Sequence, residues 1–304
     1  MKPDIAAPSG LTLAAFGTGN ELTKSVQGTS FSAPLAVGAV ALIKERCPAC
    51  SPFALKAILM NNARRHVRYR EENATQIQDQ PFLASKNATQ AGNDKPSNDA
   101  PNSLVGAGEI QLNKTLDADI WAYSVEDTQP SLSFGLINAH QQMVLKKTIK
   151  VINLSGLEQN LRIHNEVSIK LLEDDQVNPI EMTFSPEQQI LPAECNAEVT
   201  FEVTLSVDAT KAPENRMTSG GGASNDPSPN DWNEFGGWVI IENESGKDIS
   251  LAYHALIRQA SDLQVEGTSI IENFSGGPTE VAVGLANRGA GTAWENHTNL
   301  TRTL

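Results

Sequence analysis

Between Val199 and Val207 the chain alternates without a break: Val199, Phe201, Val203, Leu205 and Val207 are apolar, and the residues between them are polar. A period of two sends alternate side chains to opposite faces, so this run predicts a half-buried antiparallel strand. Similar runs occur at Val144 to Ile152, Val167 to Leu172, Trp238 to Ile241 and Leu251 to Ile257, separated by turn-forming clusters. Together they predict an all-β sandwich over residues 123–259 that needs no helix. Strand-like patterns return at Leu263 to Ile271 and Glu280 to Ala286. Residues 260–304 are too few for a core of their own and read as the start of a further β domain, cut short.

Nearer the start the period is helical. Ser30 to Arg46 contains the small apolar run Leu35-Ala36-Val37-Gly38-Ala39-Val40-Ala41-Leu42-Ile43. The stretch from Ala33 to Ile43 is about 11 residues, short of the roughly 18 a membrane span requires, and predicts a buried helix. A second helix is expected from Ser51 to about His66, with Ser51 as N-cap, Pro52 in the first turn, and Ala54, Leu55, Ile58 and Leu59 at helical spacing. Residues 71–102 are rich in Asn, Gln, Asp, Ser and Lys and read as a long surface insertion, with order resuming at Val105 to Ile110. Thr218-Ser219-Gly220-Gly221-Gly222-Ala223-Ser224 reads as a flexible loop.

Composition narrows the function. The chain has 304 residues, 39% of them hydrophobic and 19% charged, which suits a globular protein of about two domains. A net charge of −13 disfavours nucleic acid and anionic membrane surfaces as partners. The start, Met1-Lys2-Pro3-Asp4, shows no apolar signal-peptide core. Three cysteines exclude a disulfide framework. For Cys47-Pro48-Ala49-Cys50 a local disulfide or inert thiols, packing alone, and redox or metal chemistry all stay open.

The chemistry centres on Gly28-Thr29-Ser30-Phe31-Ser32-Ala33-Pro34. A serine hydroxyl needs a base, normally a histidine oriented by a carboxylate, and backbone donors for the oxyanion. At a helix N-terminus, the Ser30 N–H and the positive end of the helix dipole favour developing negative charge. Pro34 is expected in the first turn, where its missing N–H costs no helical bond.

Lys2-Pro3-Asp4-Ile5-Ala6-Ala7-Pro8 followed by Gly28-Thr29-Ser30-Phe31-Ser32-Ala33-Pro34 and Val37-Gly38 resembles the nucleophile segment of the subtilisin-like serine proteases, the subtilases. Gly106-Ala107-Gly108-Glu109-Ile110 with Leu112-Asn113-Lys114-Thr115-Leu116 looks like the closing strand and helix of the same domain. The resemblance implies an α/β subtilisin-like catalytic domain, its C-terminal portion only, over residues 1–122, followed by a fibronectin type III-like sandwich. It makes Ser30 the acyl-forming nucleophile and an oxyanion donor through its backbone N–H, with Gly28, Thr29 and Pro34 supporting the motif. It further implies a peptide or protein substrate, a secreted or cell-surface parent protein and no required cofactor, with structural calcium a property of the parent.

In subtilases the Asp, the His and the oxyanion Asn precede the serine, and here they fall upstream of Lys2. The chain departs further with Ser9 inserted before Gly10 and with Leu35 where a histidine is common. His66, flanked by Arg64, Arg65, Arg68 and Arg70, and His140, His164, His254 and His297 are read as surface or strand histidines, and Asp4 as structural. Asn73, Asn87, Asn113, Asn153, Asn243, Asn273, Asn296 and Asn299 each begin an Asn-X-Ser/Thr triplet, which matters only in a eukaryotic secretory pathway. Glu173-Asp174-Asp175 is read as a solvated turn, and Trp232 with Trp238 as a packing pair. The expected function is that of a serine endopeptidase fragment, inactive until its missing N-terminal half is supplied. The alternative is a non-catalytic β-rich binding or adhesion module carrying a protease remnant.

Overall fold

The computed structural model describes residues 2–9, 11–14, 23–26, 28–67, 102–169, 179–211, 234–259, 263–271, 280–287 and 299–303. Residues 71–101 of the expected insertion, the Gly-rich loop at 218–224, the acidic cluster at 173–175, Trp232 and His297 lie outside the described residues.

A short hairpin comes first, with β1 (Leu11–Ala14) antiparallel to β2 (Thr23–Val26). Helix α1 (Thr29–Arg46) follows, and its C-cap, Cys47, is joined to Cys50 by a disulfide. The bridge closes the turn into α2 (Pro52–Asn61), so the local disulfide is the reading that holds. Ser51 caps α2 as expected, its Oγ accepting the Ala54 N–H at 3.2 Å. The helix ends five residues before His66, however. Asn62 turns its amide back onto the Ile58 carbonyl, and Arg64 leaves helical geometry to bond Glu109 in both directions.

The chain resumes with α3 (Asn102–Val105) and α4 (Leu112–Leu116). Asn102 is fully buried, so it belongs to the packed structure and not to the surface insertion expected to include it. The expected α/β portion is present only in part. Residues 4–6 lie beside 106–110 through isolated bridges, and Arg64 bridges Glu109 from the other side. These segments run alongside one another for only two or three residues, too few to build a sheet.

Strands dominate the rest. One four-stranded sheet contains β3 (Ile120–Ser124), β5 (Gln142–Asn153), β9 (Glu198–Asp208) and β7 (Ile180–Ser185), in the order β3-β5-β9-β7. A five-stranded sheet contains β4 (Ser131–Ala139), β11 (Ile249–Gln259), β10 (Glu234–Asn243), β6 (Gln159–Ile169) and β8 (Gln188–Leu191), in the order β4-β11-β10-β6-β8. Only the β11–β4 pairing in this sheet is parallel. The two sheets share one apolar core. From β9 come Phe201, Val203, Leu205 and Val207, the odd positions of the alternating run, meeting Val239, Ile241, Leu251 and Tyr253 of the opposite sheet. A three-stranded antiparallel sheet of β12 (Leu263–Ile271), β13 (Glu280–Asn287) and β14 (Asn299–Thr303) closes the chain.

Candidate active site

Gly28 caps α1 with φ 140°, a conformation that side chains rarely adopt, and the Phe31 N–H donates to its carbonyl at 3.0 Å. Thr29 and Ser30 are therefore the first two helical residues, and both are exposed. The earliest N–H groups of a helix have no intrahelical acceptor, which leaves the Ser30 N–H at the end where the dipole favours negative charge. Among the described residues no hydrogen bond or ion pair joins Ser30 to a histidine or a carboxylate.

Pro34 lies beyond the first turn expected for it. Because α1 begins at Thr29, Pro34 sits inside the helix, and the Ser30 carbonyl loses the donor it would have received four residues on. The helix is also less covered than its composition predicts. It is apolar around its whole circumference, a composition that suits burial on every side, yet only Ala39 and Ile43 are buried. Val37 is 68% exposed, Leu42 42% and Leu35 40%. Its inner face packs on α2 through Ile43, Leu55, Ile58 and Leu59.

Ser32, a residue with no evident role in the sequence, ties the two halves of the motif together. Its Oγ lies 3.1 Å from both the Ala7 and the Pro8 carbonyl oxygens and donates there, holding the 2–9 segment against the first turn of α1. The signal for this contact was the co-occurrence of the two motif segments. Asp4, read from the sequence as structural, fixes the same segment. It pairs with Lys2 Nζ at 2.6 Å and with Lys56 Nζ of α2 at 3.3 Å, while its carbonyl accepts the Ala107 N–H.

Partial burial alone would raise the Asp4 carboxyl, but the hydrogen bonds and charges of Lys2 and Lys56 outweigh it and set it below its ordinary 3.8. A carboxyl held below its unfolded value contributes stability that is present above that value and lost as pH falls through the folded one. The urea midpoint of Asp4→Asn is therefore expected to fall less than that of the wild type on acidification from about pH 5 to about pH 2. Identical pH dependence in the two proteins would contradict this role.

His66 lies beyond α2, its Nε2 3.1 Å from Glu166 and its ring against Trp238. His164 faces Glu242 at 3.8 Å. Two of the Asn-X-Ser triplets prove to be turns. Asn153 and Asn243 are buried, each accepts the hydroxyl of the serine two residues on through Oδ1, and each amide donates to the carbonyl four residues on. Asn113 is exposed on α4. Asn73, Asn87, Asn273 and Asn296 lie outside the described residues. Among the described residues no three His, Cys, Asp or Glu side chains gather to hold a metal ion. Nor is any helix among them long and apolar enough to cross a membrane.

A model of the subtilase family matches residues 1–108. Subtilisin-like protease SBT3.16 of Arabidopsis thaliana is 43% identical over 63 residues, 21% of this chain and 8% of that protein. Subtilisin-like protease SBT1.9 of the same plant is 26% identical over 168 residues, 52% of this chain and 18% of that protein. The chain thus spans only a small part of the length of these relatives. Among solved structures, the PapD-like domain 7 of human CEP192 aligns with a TM-score of 0.26 at 8% identity, covering 46% of this chain and 84% of that one. Residues 1–108, the stretch that carries Gly28, Thr29, Ser30 and Pro34, therefore match the subtilase family.

Proposed function

We propose that Ser30 is the acyl-forming nucleophile of a subtilisin-like serine endopeptidase whose Asp, His and oxyanion Asn come from a segment outside residues 1–304. The observation that carries this reading is the placement of Ser30: exposed, at the first turn of an apolar helix, within the stretch that matches the subtilase family. Its Oγ attacks a peptide carbonyl as the histidine takes the hydroxyl proton. The Ser30 N–H, with the asparagine, stabilises the oxyanion, and the protonated histidine then gives its proton to the leaving amine. Water hydrolyses the acyl-enzyme and restores the serine. The substrate is a peptide or protein, no cofactor takes part, and the parent protein works outside the cell or at its surface.

The exposed side of α1 supports the same reading. Leu35 and Leu42 on one flank of the helix and Val37 on its far side are exposed apolar positions that a partner would cover, and the upstream half of the catalytic domain is that partner. By itself the 304-residue chain is inactive, because none of the described residues activates Ser30. The sandwich of β3 to β11 takes the place of the fibronectin type III-like domain of larger subtilases.

The coding sequence immediately upstream tests the assignment. An in-frame Asp-containing strand, a His-containing segment and an Asn-containing loop are expected there. A true translation start at Met1 would overturn it.

A further inference from the structure

The helical part and the sandwich meet through polar side chains that are buried and hydrogen-bonded across the contact. Asn61, the last residue of α2, is fully buried. Its Oδ1 accepts the Ala122 N–H of β3 at 2.8 Å, and its Nδ2 donates to the Ser250 carbonyl of β11 at 3.2 Å. These strands belong to different sheets, so a single amide spans the two layers of the sandwich. Asn102, also fully buried, donates through Nδ2 to the Gly237 carbonyl at 3.1 Å and the Tyr253 carbonyl at 2.6 Å, two residues paired across β10 and β11.

The glycines of β10 make room for this contact. The β10–β6 register shifts between Gly236 and Gly237. A Cβ at Gly236 would stand 2.6 Å from Asn102 Oδ1, and one at Gly237 would overlap the Glu166 carbonyl oxygen. A third link is the Trp238 Nε1–H, which donates to the Ala107 carbonyl at 3.1 Å, with the indole buried. At the edge of the contact Glu166 of β6 receives Arg65 at 3.4 Å and His66 at 3.1 Å.

Two routes lead from these links to Ser30. Asn61 fixes α2, whose apolar face packs on α1. Asn102 precedes, and Ala107 belongs to, the segment 106–110 that bonds residues 4–6, and the segment 2–9 is in turn held to α1 by Ser32. We infer that the β-sandwich is a built-in scaffold for the Ser30 helix, with Asn61, Asn102 and Trp238 as its tethers, so that α1 and α2 do not open separately from the sandwich. This holds whether or not Ser30 is a nucleophile. The Asn61 amide does for the edge strand β3 what a neighbouring strand does, and loss of Asn61 and Asn102 removes their hydrogen bonds to buried backbone groups of β3, β10 and β11.

Site-resolved amide hydrogen exchange on the 304-residue chain tests the inference. In the wild type, amides of α1 between Ala39 and Arg46 and those of α2 are expected to be protected as well as those of β11. In Asn61→Ala/Asn102→Ala the helices are expected to exchange about a hundredfold faster, while β5 and β9 keep their protection. If the double variant does not fold, Trp238→Phe removes one donor and keeps most of the packing. About tenfold faster exchange confined to residues 4–8 and 106–110 is then expected. Three results would overturn the inference: helices already far less protected than β11 in the wild type, acceleration spread evenly over helices and sandwich, or no change in either variant.

Discussion

Replacing Ser30 by alanine in the chain joined to its upstream segment is expected to lower kcat for peptide hydrolysis by about a million-fold, the size typical of removing a triad serine. The loss falls on kcat because the hydroxyl contributes only once bond formation begins, whereas peptide binding rests on the cleft. Binding is therefore expected to change little. Neighbouring hydroxyls serve as controls. Thr29→Ala leaves the nucleophile in place, and Ser32→Ala removes the donor to Ala7 and Pro8 without touching the reacting atom. An activity that survives Ser30→Ala while falling in either control would move the chemistry to another residue.

Gly108→Ala is expected to prevent the 2–67 and 102–110 segments from assembling, while the sandwich of β3 to β11 still folds. Gly108 has φ 125°, and a Cβ there would overlap the Arg64 carbonyl oxygen. That carbonyl is itself engaged, accepting the Glu109 N–H at 3.0 Å while the Arg64 N–H donates to Glu109 at 2.8 Å. Neither side of the contact can retreat without breaking this pair and the neighbouring bond from the Ala6 N–H to the Gly108 carbonyl at 2.8 Å. Backbone strain and clash together place the cost above about 4 kcal/mol, within the range of severe single substitutions. Urea unfolding followed separately by probes in α1 and in β9 resolves the two parts. An unchanged α1 transition would contradict the crowding at Gly108.

How much of this was legible in the sequence depended on what each element packs against. The alternation in β9 was unmistakable because one of its faces meets the core and the other does not. Helix α2 was nearly as clear, since Ser51 and Pro52 mark its start by chemistry that acts within one turn. Its end was misjudged because the signal that stops it is not local: Arg64 leaves the helix to pair with Glu109, 45 residues later. Strand β8 escaped notice because it is four residues long and does not alternate: two glutamines are followed by Ile190 and Leu191.

The candidate site divided along the same line. Ser30 and its motif could be located by residue type, but the burial of α1 could not, because burial is a property of what covers a helix. Asn61 and Asn102 were the larger omission. In a sequence they are two polar residues, one at the end of a helical pattern and the other at the margin of a polar stretch. Only the fold shows that they satisfy strand backbones in another part of the chain. Likewise Asn153 and Asn243 matched a modification triplet while serving as turn-forming side chains.

The most direct test of the account is labelling with a fluorophosphonate, which reacts with a serine only when a base has activated it. The 304-residue chain alone is expected to remain unlabelled, and the chain joined to its upstream segment to be labelled at Ser30 and to lose that label in Ser30→Ala. Efficient labelling of the isolated chain, or none at Ser30 once the upstream segment is present, would contradict the claim that Ser30 is a nucleophile awaiting its base.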